Sequence, residues 1–321
     1  MKHFLLALTI CCTLGVQGQT LEDSLAMSTP KDAWIDPVTA VPDGCEYVVY
    51  TTNARGAGTE GSVLVYLPKE YKTNTEHRYP VIYYLHGGTG NQRECRWMVQ
   101  RIDSAISAGR MQPVIIVGVQ ALPVGWYLNG RMEDPKVTTG PIEDVLIHDL
   151  IPFIDSRYRT IPSREGRALE GFSMGGCATL RLAFKYPELF GAASSVARAV
   201  VHWDEEPLQR ALECTFGDIN DPASRAYFDS QLPEVFAERN AKEIIRQGMH
   251  VRMFVGTEDR LYQENGVHIT QRMNDYLNSL GIIHTLDFIP GANHNPWEMF
   301  DANHLEYNTS FWDKAFNNKK Q

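Results

Sequence analysis

Arg167-Ala-Leu-Glu-Gly171-Phe-Ser173-Met-Gly175-Gly176-Cys-Ala-Thr-Leu-Arg-Leu-Ala183 reads as a short strand, a very tight turn and a helix. The turn is Gly-x-Ser-x-Gly. That spacing suits a serine on a strained strand-to-helix turn, its hydroxyl lifted above a sheet. Gly171 and Gly175 leave room where backbone approaches backbone. Beyond the serine the period turns helical, with Ala178, Leu180, Leu182 and Ala183 placed to face a core. Such a helix aims its unpaired N–H groups at the space above Ser173, where an oxyanion would be held.

Outward from this turn, strand and helix patterns alternate. Tyr79-Pro-Val-Ile-Tyr-Tyr-Leu85 is a continuous apolar run of the kind buried on both faces of a sheet. It ends in His86-Gly87-Gly88-Thr89-Gly90, a loop that can bring backbone N–H groups beside the serine. Glu94 to Ala108 is expected as a helix, and Gln112 to Val119 as the next buried strand. The loop from Gln120 to Gly140 is long and holds Trp126, Tyr127, Asn129 and Arg131; long loops in compact domains tend to be functional. Ile142 to Tyr158 reads as a helix and Phe190 to Val196 as a strand. Residues 197–247 break the rhythm with a charged, helically patterned insertion, expected as part of a lid or substrate wall. A strand at His250–Val255, a helix at Glu264–Leu280, a strand at Ile282–Ile289 and a helix at Asn295–Phe316 complete the order. Before all of these, Glu46–Thr51 and Gly61–Leu67 read as two strands joined by a turn. The pattern predicts an α/β domain over 45–318, with a mostly parallel central sheet, helices on both faces and an antiparallel N-terminal start.

At 321 residues and 43% hydrophobic content, the chain can bury one large core. Its net charge of −9, with no Lys/Arg run, argues against a nucleic-acid or anionic-membrane partner. Met1-Lys2-His3 followed by an apolar run to Val16 resembles a secretory signal over 1–18, with 19–44 as an extended leader. The apolar run is too short to span a bilayer, so no membrane anchor is expected, and export to the periplasm or outside the cell is. Cys45, Cys95, Cys177 and Cys214 remain in the mature chain, too few for a disulfide scaffold.

A serine hydroxyl is a weak nucleophile at neutral pH and needs a base within hydrogen-bond reach, itself oriented by an acceptor. His202, His250, His268, His284, His294 and His304 follow Ser173. His250 and His284 fall near strand starts, His268 and His304 inside expected helices and His202 in the insertion. Only His294 sits in a loop after a late strand. The acid must lie between serine and histidine, also after a strand. Glu258 and Asp259 both qualify; Asp259 is favoured because the loop has had one more residue to turn, and Asp218 and Asp221 are weaker. The Gly87-Gly88 loop, Ser173, Asp259 and His294 then converge on the carboxyl ends of the strands, where ligands of such sheets bind. Met174 and the Gly87-Gly88 loop are the expected oxyanion donors. No metal-ligand cluster, phosphate-binding loop or dinucleotide fingerprint is present, so no metal and no cofactor are implied.

Val65-Tyr-Leu-Pro68, Tyr79 to Gly88, Leu150-Ile-Pro-Phe-Ile-Asp-Ser-Arg-Tyr158, Gly171 to Gly176 and Gly256-Thr-Glu-Asp259 together resemble the esterase D-like α/β-hydrolases. That group includes the carbohydrate esterase family 1 feruloyl and acetylxylan esterases. The likeness covers about residues 45 to 315. It implies Ser173, Asp259 and His294 as a catalytic triad and Gly88 and Met174 as oxyanion donors. It also implies an ester substrate, expected to be feruloyl or acetyl groups on plant polysaccharide, for which Trp126, Tyr127 and Trp297 are substrate-contact candidates. A siderophore-type or other small-ester hydrolase of the same fold, and a catalytically silent carbohydrate-binding homologue, are the competing expectations.

Overall fold

Five consecutive apolar residues are buried together only when both faces of a strand are covered, and the centre of this chain is built on such runs. The computed structural model describes residues 34–38, 40–52, 58–122, 124–200, 203, 209–264, 267–299 and 305–317. The expected signal at 1–18, most of the leader, His202 and His304 lie outside the described residues. In chain order come β1 (Cys45–Thr52), β2 (Thr59–Tyr66), β3 (Val81–Leu85), α1 (Arg96–Ser107) and β4 (Ile115–Val119). A composite helix α2 follows, running Ile142–Asp144, Val145–Leu150 with π-type turns, then Ile151–Arg157. Pro152, in its last part, has no N–H to give to the preceding turn, a common cause of such irregularity. Next are β5 (Arg167–Phe172), α3 (Met174–Lys185), β6 (Ala192–Val196), α4 (Gln209–Phe216), α5 (Pro222–Ser230), α6 (Pro233–Arg246) and β7 (His250–Gly256). The chain then forms a small hairpin, β8 (Gln263–Glu264) with β9 (Val267–His268), followed by α7 (Ile269–Ser279), β10 (Thr285–Ile289), α8 (Pro296–Met299) and α9 (Leu305–Phe316).

The main sheet runs β1-β2-β4-β3-β5-β6-β7-β10. β1 pairs antiparallel with β2, and β2 with β4; every other neighbour is parallel. This is the mostly parallel sheet with an antiparallel start that the strand–helix alternation predicts. Side chains divide by the period of two. Val81, Tyr83 and Leu85 join Leu146, Leu150, Leu180 and Phe184 in one core, while Ile82 and Tyr84 join Trp97, Ile102 and Trp312 on the other face.

Three details differ from the sequence reading. The final helix is described in two pieces, α8 and α9. β10 starts at Thr285 rather than Ile282. The helix expected from Glu264 starts only at Ile269, because Gln263 and Glu264 pair with His268 and Val267 instead. His268 is therefore not inside a helix but is the residue that caps one: its side chain accepts the N–H of Thr270.

Candidate active site

The Ser173 turn is fixed by close backbone contacts. A Cβ on Gly171 would stand 2.4 Å from the Gly175 carbonyl oxygen, and one on Gly175 would stand 2.0 Å from that of Leu85. β5, the start of α3 and the end of β3 meet at distances that admit no side chain. Between the two glycines Ser173 adopts φ 54° and ψ −113°. A non-glycine residue in such a region costs about 1–3 kcal/mol and persists only where its surroundings hold it. They do: Ser173 donates its N–H to Val196 (2.9 Å), and its carbonyl accepts from Cys177 (3.0 Å) and Ala199 (2.9 Å). Ala178, Leu180, Leu182 and Ala183 are all buried, as the helical period requires.

β7 and β10 are neighbours, with Gly256 paired to Ile289, so the loops after them emerge side by side. Glu258 donates its N–H to Ala292 at 3.0 Å, which ties the two loops together. The Glu258 carboxylate points outward and pairs with Arg260 at 3.3 Å, whereas the Asp259 side chain is buried. Asp259 Oδ2 meets His294 Nδ1 at 2.7 Å, and Asp259 Oδ1 accepts the N–H of Leu261 at 3.0 Å. The other acids and bases are occupied elsewhere. Asp221 caps α5 and pairs with Arg131, Asp218 pairs with Lys136, and His284 meets Asn274.

The His294 ring lies between Phe172 (centroids 4.7 Å apart) and Tyr262 (5.4 Å). Phe172 immediately precedes Ser173, so the imidazole stands over the turn. Among the described residues no hydrogen bond joins Ser173 Oγ to His294, and Nε2 is left for an incoming partner. Catalytic hydrogen bonds are commonly loose without substrate and tighten in the complex. Burial works to raise the Asp259 carboxyl, but the hydrogen bond to His294 and the nearby His268 ring outweigh it and hold it down to about 2. Asp259 is thus an anion at neutral pH. It can orient the imidazole through Nδ1–H and stabilise the imidazolium that forms when Nε2 takes a proton.

The glycine loop after β3 crosses directly above the serine: a Cβ on Gly87 would lie 3.5 Å from the Ser173 Cβ. Its two glycines are not equivalent. Gly87 donates its N–H to Glu94 Oε1 at 3.1 Å, an oxygen that also accepts from the Tyr84 hydroxyl at 2.7 Å. That hydroxyl in turn accepts from Trp97 Nε1 at 2.9 Å. The N–H groups of Gly88 and Met174 have no acceptor among the described residues. The pair available to an oxyanion is therefore Gly88 and Met174. Glu94 was not visible as a site residue in the sequence, where it only opens a helix. Its burial pushes its carboxyl up to about 7, against the opposing pull of the Tyr84 and Gly87 hydrogen bonds. His86 is fully buried, which lowers its ring to about 4 and keeps it neutral; its Nδ1–H donates to the Gly87 carbonyl at 2.8 Å, and its Nε2 accepts the Ala121 N–H at 3.3 Å.

The loop from Gln120 to Gly140 and the helices after β6 dock against each other. Arg131 pairs with both Asp134 and Asp221 at 2.7 Å, Lys136 with Glu213 at 2.7 Å, and the Tyr227 hydroxyl donates to the Asn129 carbonyl at 2.6 Å. Between them lies a narrow cleft, partly open to solvent and lined by Trp126, Leu128, Cys177, Phe216, Phe228 and Leu232. Cys177 is one helical turn, ~6 Å along the axis, past Ser173. Trp126 and Tyr127 both have positive φ, at 53° and 54°, and they diverge. Trp126 lines the cleft. Tyr127, expected to touch substrate, is instead completely buried: its hydroxyl donates to the His86 carbonyl (3.2 Å) and its own carbonyl accepts from Arg181. It holds the loop rather than a ligand. Trp297 is 40% exposed, with the Arg101 guanidinium 5.6 Å from its ring. None of Cys45, Cys95, Cys177 and Cys214 forms a disulfide.

Residues 55–278 match the Putative esterase family. The chain belongs to that family. Among relatives of this esterase-family chain, an esterase of Mycobacterium tuberculosis is 34% identical over 48% of the chain and 34% of its own length. A protein named endo-1,4-beta-xylanase/feruloyl esterase from Xylanibacter ruminicola is 36% identical over 40% of the chain and 18% of its own length. The matches therefore span about a third of the first relative's length and under a fifth of the second's. Among solved structures, a ferulic acid esterase from Anaeromyces mucronatus superposes with a TM-score of 0.57 at 19% identity, covering 90% of this chain and 97% of that one. An S-formylglutathione hydrolase from Agrobacterium tumefaciens does so with a TM-score of 0.63 at 19% identity, covering 88% and 99%. The fold of the esterase-family chain is that of the α/β-hydrolases.

Proposed function

We propose that this protein is a serine carboxylic-ester hydrolase acting through an acyl-enzyme, and that it is exported and removes feruloyl or acetyl groups from plant polysaccharide. The observation that carries the reaction type is the 2.7 Å Asp259–His294 bond standing over a strained Ser173. Ser173 attacks the ester carbonyl while His294 Nε2 takes its proton. Asp259 holds the proton on Nδ1 and stabilises the imidazolium. The N–H groups of Gly88 and Met174 receive the developing oxyanion, each such donor being worth ~3 kcal/mol of transition-state stabilisation. His294 then protonates the leaving alcohol, and a water activated by the same imidazole releases the acid.

The substrate reading rests on two supports. The cleft that reaches α3 at Cys177, one turn past Ser173, is apolar and aromatic, with Trp126, Phe216 and Phe228 in its wall, which suits a planar aromatic acyl group. The Xylanibacter ruminicola relative carries feruloyl esterase in its name, as does ferulic acid esterase in that of the Anaeromyces mucronatus structure. Export rests on the N-terminal pattern of residues 1–18. A small soluble ester or thioester is the second reading, since an S-formylglutathione hydrolase shares the fold.

The deciding experiment is a panel of methyl ferulate, acetylated xylan, p-nitrophenyl acetate and S-formylglutathione, each with wild type and Ser173→Ala. Turnover of methyl ferulate or acetylated xylan that vanishes in the variant supports the proposal. Turnover of p-nitrophenyl acetate alone removes the polysaccharide reading, and preferred S-formylglutathione turnover replaces it with the second.

A further inference from the structure

We propose that His268 is a positioning residue for the Asp259–His294 pair, its Nε2–H directed at the same Asp259 oxygen that holds His294. The inference rests on the triad reading above and adds a fourth side chain to it.

Three observations converge on this ring. First, its tautomer is set locally. His268 caps α7 by accepting the Thr270 N–H on Nδ1 at 3.1 Å, so the neutral ring carries its proton on Nε2. Second, that Nε2 is buried and has no hydrogen-bond partner, and Asp259 Oδ2 stands 3.7 Å from it. An unmade buried donor is destabilising, and a shift of about 0.7 Å would bring the contact to an ordinary N–H···O length of ~3.0 Å. Third, the segment carrying His268 is already tied to the acid. Gln263 of β8 donates its side-chain amide to the Asp259 carbonyl at 3.0 Å, and Ile269 donates its N–H to the Tyr262 carbonyl at 3.1 Å. Tyr262 in turn lies against the His294 ring.

The hairpin thus folds back over the loop after β7 and delivers a second imidazole to Asp259. Asp259 Oδ1 takes the Leu261 N–H, and Oδ2 faces two rings: His294 in hydrogen-bond contact, and His268 beyond it. With the His268 contact drawn in, the carboxylate is held on three sides and resists rotation about its Cβ–Cγ bond. Its fixed plane sets the plane of the His294 ring, and so the direction in which Nε2 faces Ser173. His268 touches no reacting atom and transfers no proton during the reaction.

The two roles of His268 can be separated chemically. Asparagine places an oxygen where Nδ1 sits, which keeps the cap of α7 but cannot reach Asp259. Glutamine reaches as far as Nε2 and can offer an N–H to Asp259, at the expense of the cap. H268N is expected to keep the wild-type Tm while kcat falls about 10- to 100-fold with little change in KM, the span for a charge-assisted hydrogen bond expressed in the rate. H268Q is expected to recover most of that kcat despite a lower Tm. In a D259N background, H268N should produce no further loss. The proposal is overturned if kcat of H268N stays within twofold of wild type, if H268Q loses as much kcat as H268N, or if H268N lowers kcat equally with and without Asp259. If D259N itself leaves kcat intact, the triad reading fails first, so the two failures are distinguishable.

Discussion

Replacing Asp259 by Asn is the sharpest perturbation of the site, because it changes charge and proton placement without changing shape. Asp259 Oδ2 and His294 Nδ1 are 2.7 Å apart, and the carboxylate is an anion at neutral pH. When His294 becomes an imidazolium, opposite unit charges at that distance attract by about 6 kcal/mol at an effective dielectric near 20. At ~1.4 kcal/mol per tenfold in rate, losing this attraction corresponds to about 10⁴ in kcat. The amide adds a second effect in the same direction. Its NH₂ can face Nδ1 as a donor, which would move the ring proton to Nε2 and leave no lone pair for the Ser173 hydroxyl. Steady-state hydrolysis of p-nitrophenyl acetate reads this directly, with circular dichroism and Tm as controls for the fold. Asp259→Asn is expected to lower kcat by three to four orders of magnitude with KM little changed. A loss below tenfold in a folded variant would refute the assignment of Asp259.

The other expectations concern the elements around it. Glu94→Leu frees the Gly87 N–H and unfastens the oxyanion loop; kcat for an aryl ester should fall on the order of 10- to 100-fold, while Glu94→Gln, which keeps an acceptor, should fall much less. Gly175→Ala drives a Cβ to 2.0 Å from the Leu85 carbonyl oxygen, so it should lower stability by about 3 kcal/mol or more, read as a loss of Tm or of soluble protein. In urea unfolding followed against pH, the two perturbed carboxyls have opposite signs. The Asp259 carboxyl sits below its ordinary 3.8, so its contribution, on the order of 2 kcal/mol, is complete above that pH and disappears as pH falls towards about 2. The Glu94 carboxyl sits above its ordinary 4.5, so its contribution is complete below that pH and disappears as pH rises through about 7. Asp259→Asn should abolish the first dependence and Glu94→Gln the second.

Where function depends on local chain grammar, the sequence is legible. The glycines flanking Ser173 announce backbone contact, and contacts of 2.4 and 2.0 Å at the positions of the missing Cβ atoms show why no other residue fits. The choice of Asp259 over Glu258 also rests on one residue's worth of turning, and the structure has Glu258 facing solvent and Asp259 buried against His294. What the sequence hides is pairing at a distance. Glu94 reaches Gly87 only because α1 begins beneath β3, and nothing in the Gln-Arg-Glu-Cys stretch reveals a backbone partner. The helical period from Glu264 to Leu280 places His268 inside a helix; the pairing of Gln263 and Glu264 with His268 and Val267, which overrides it, follows Tyr262 at a positive φ of 54°. Tyr127 looked like a ligand contact because it is an aromatic residue in a long loop. Its burial comes from the docking of that loop onto α3 through Arg181, which no local pattern encodes.

The central claim is that Ser173 carries the acyl group. Intact-protein mass spectrometry after reaction with a fluorophosphonate, followed by peptide mapping, measures it without any assumption about substrate. One adduct per chain on the peptide containing Ser173, forming in step with loss of p-nitrophenyl acetate hydrolysis and absent from Ser173→Ala, is the predicted result. An adduct on another residue, or a Ser173→Ala variant that keeps wild-type turnover, would contradict it.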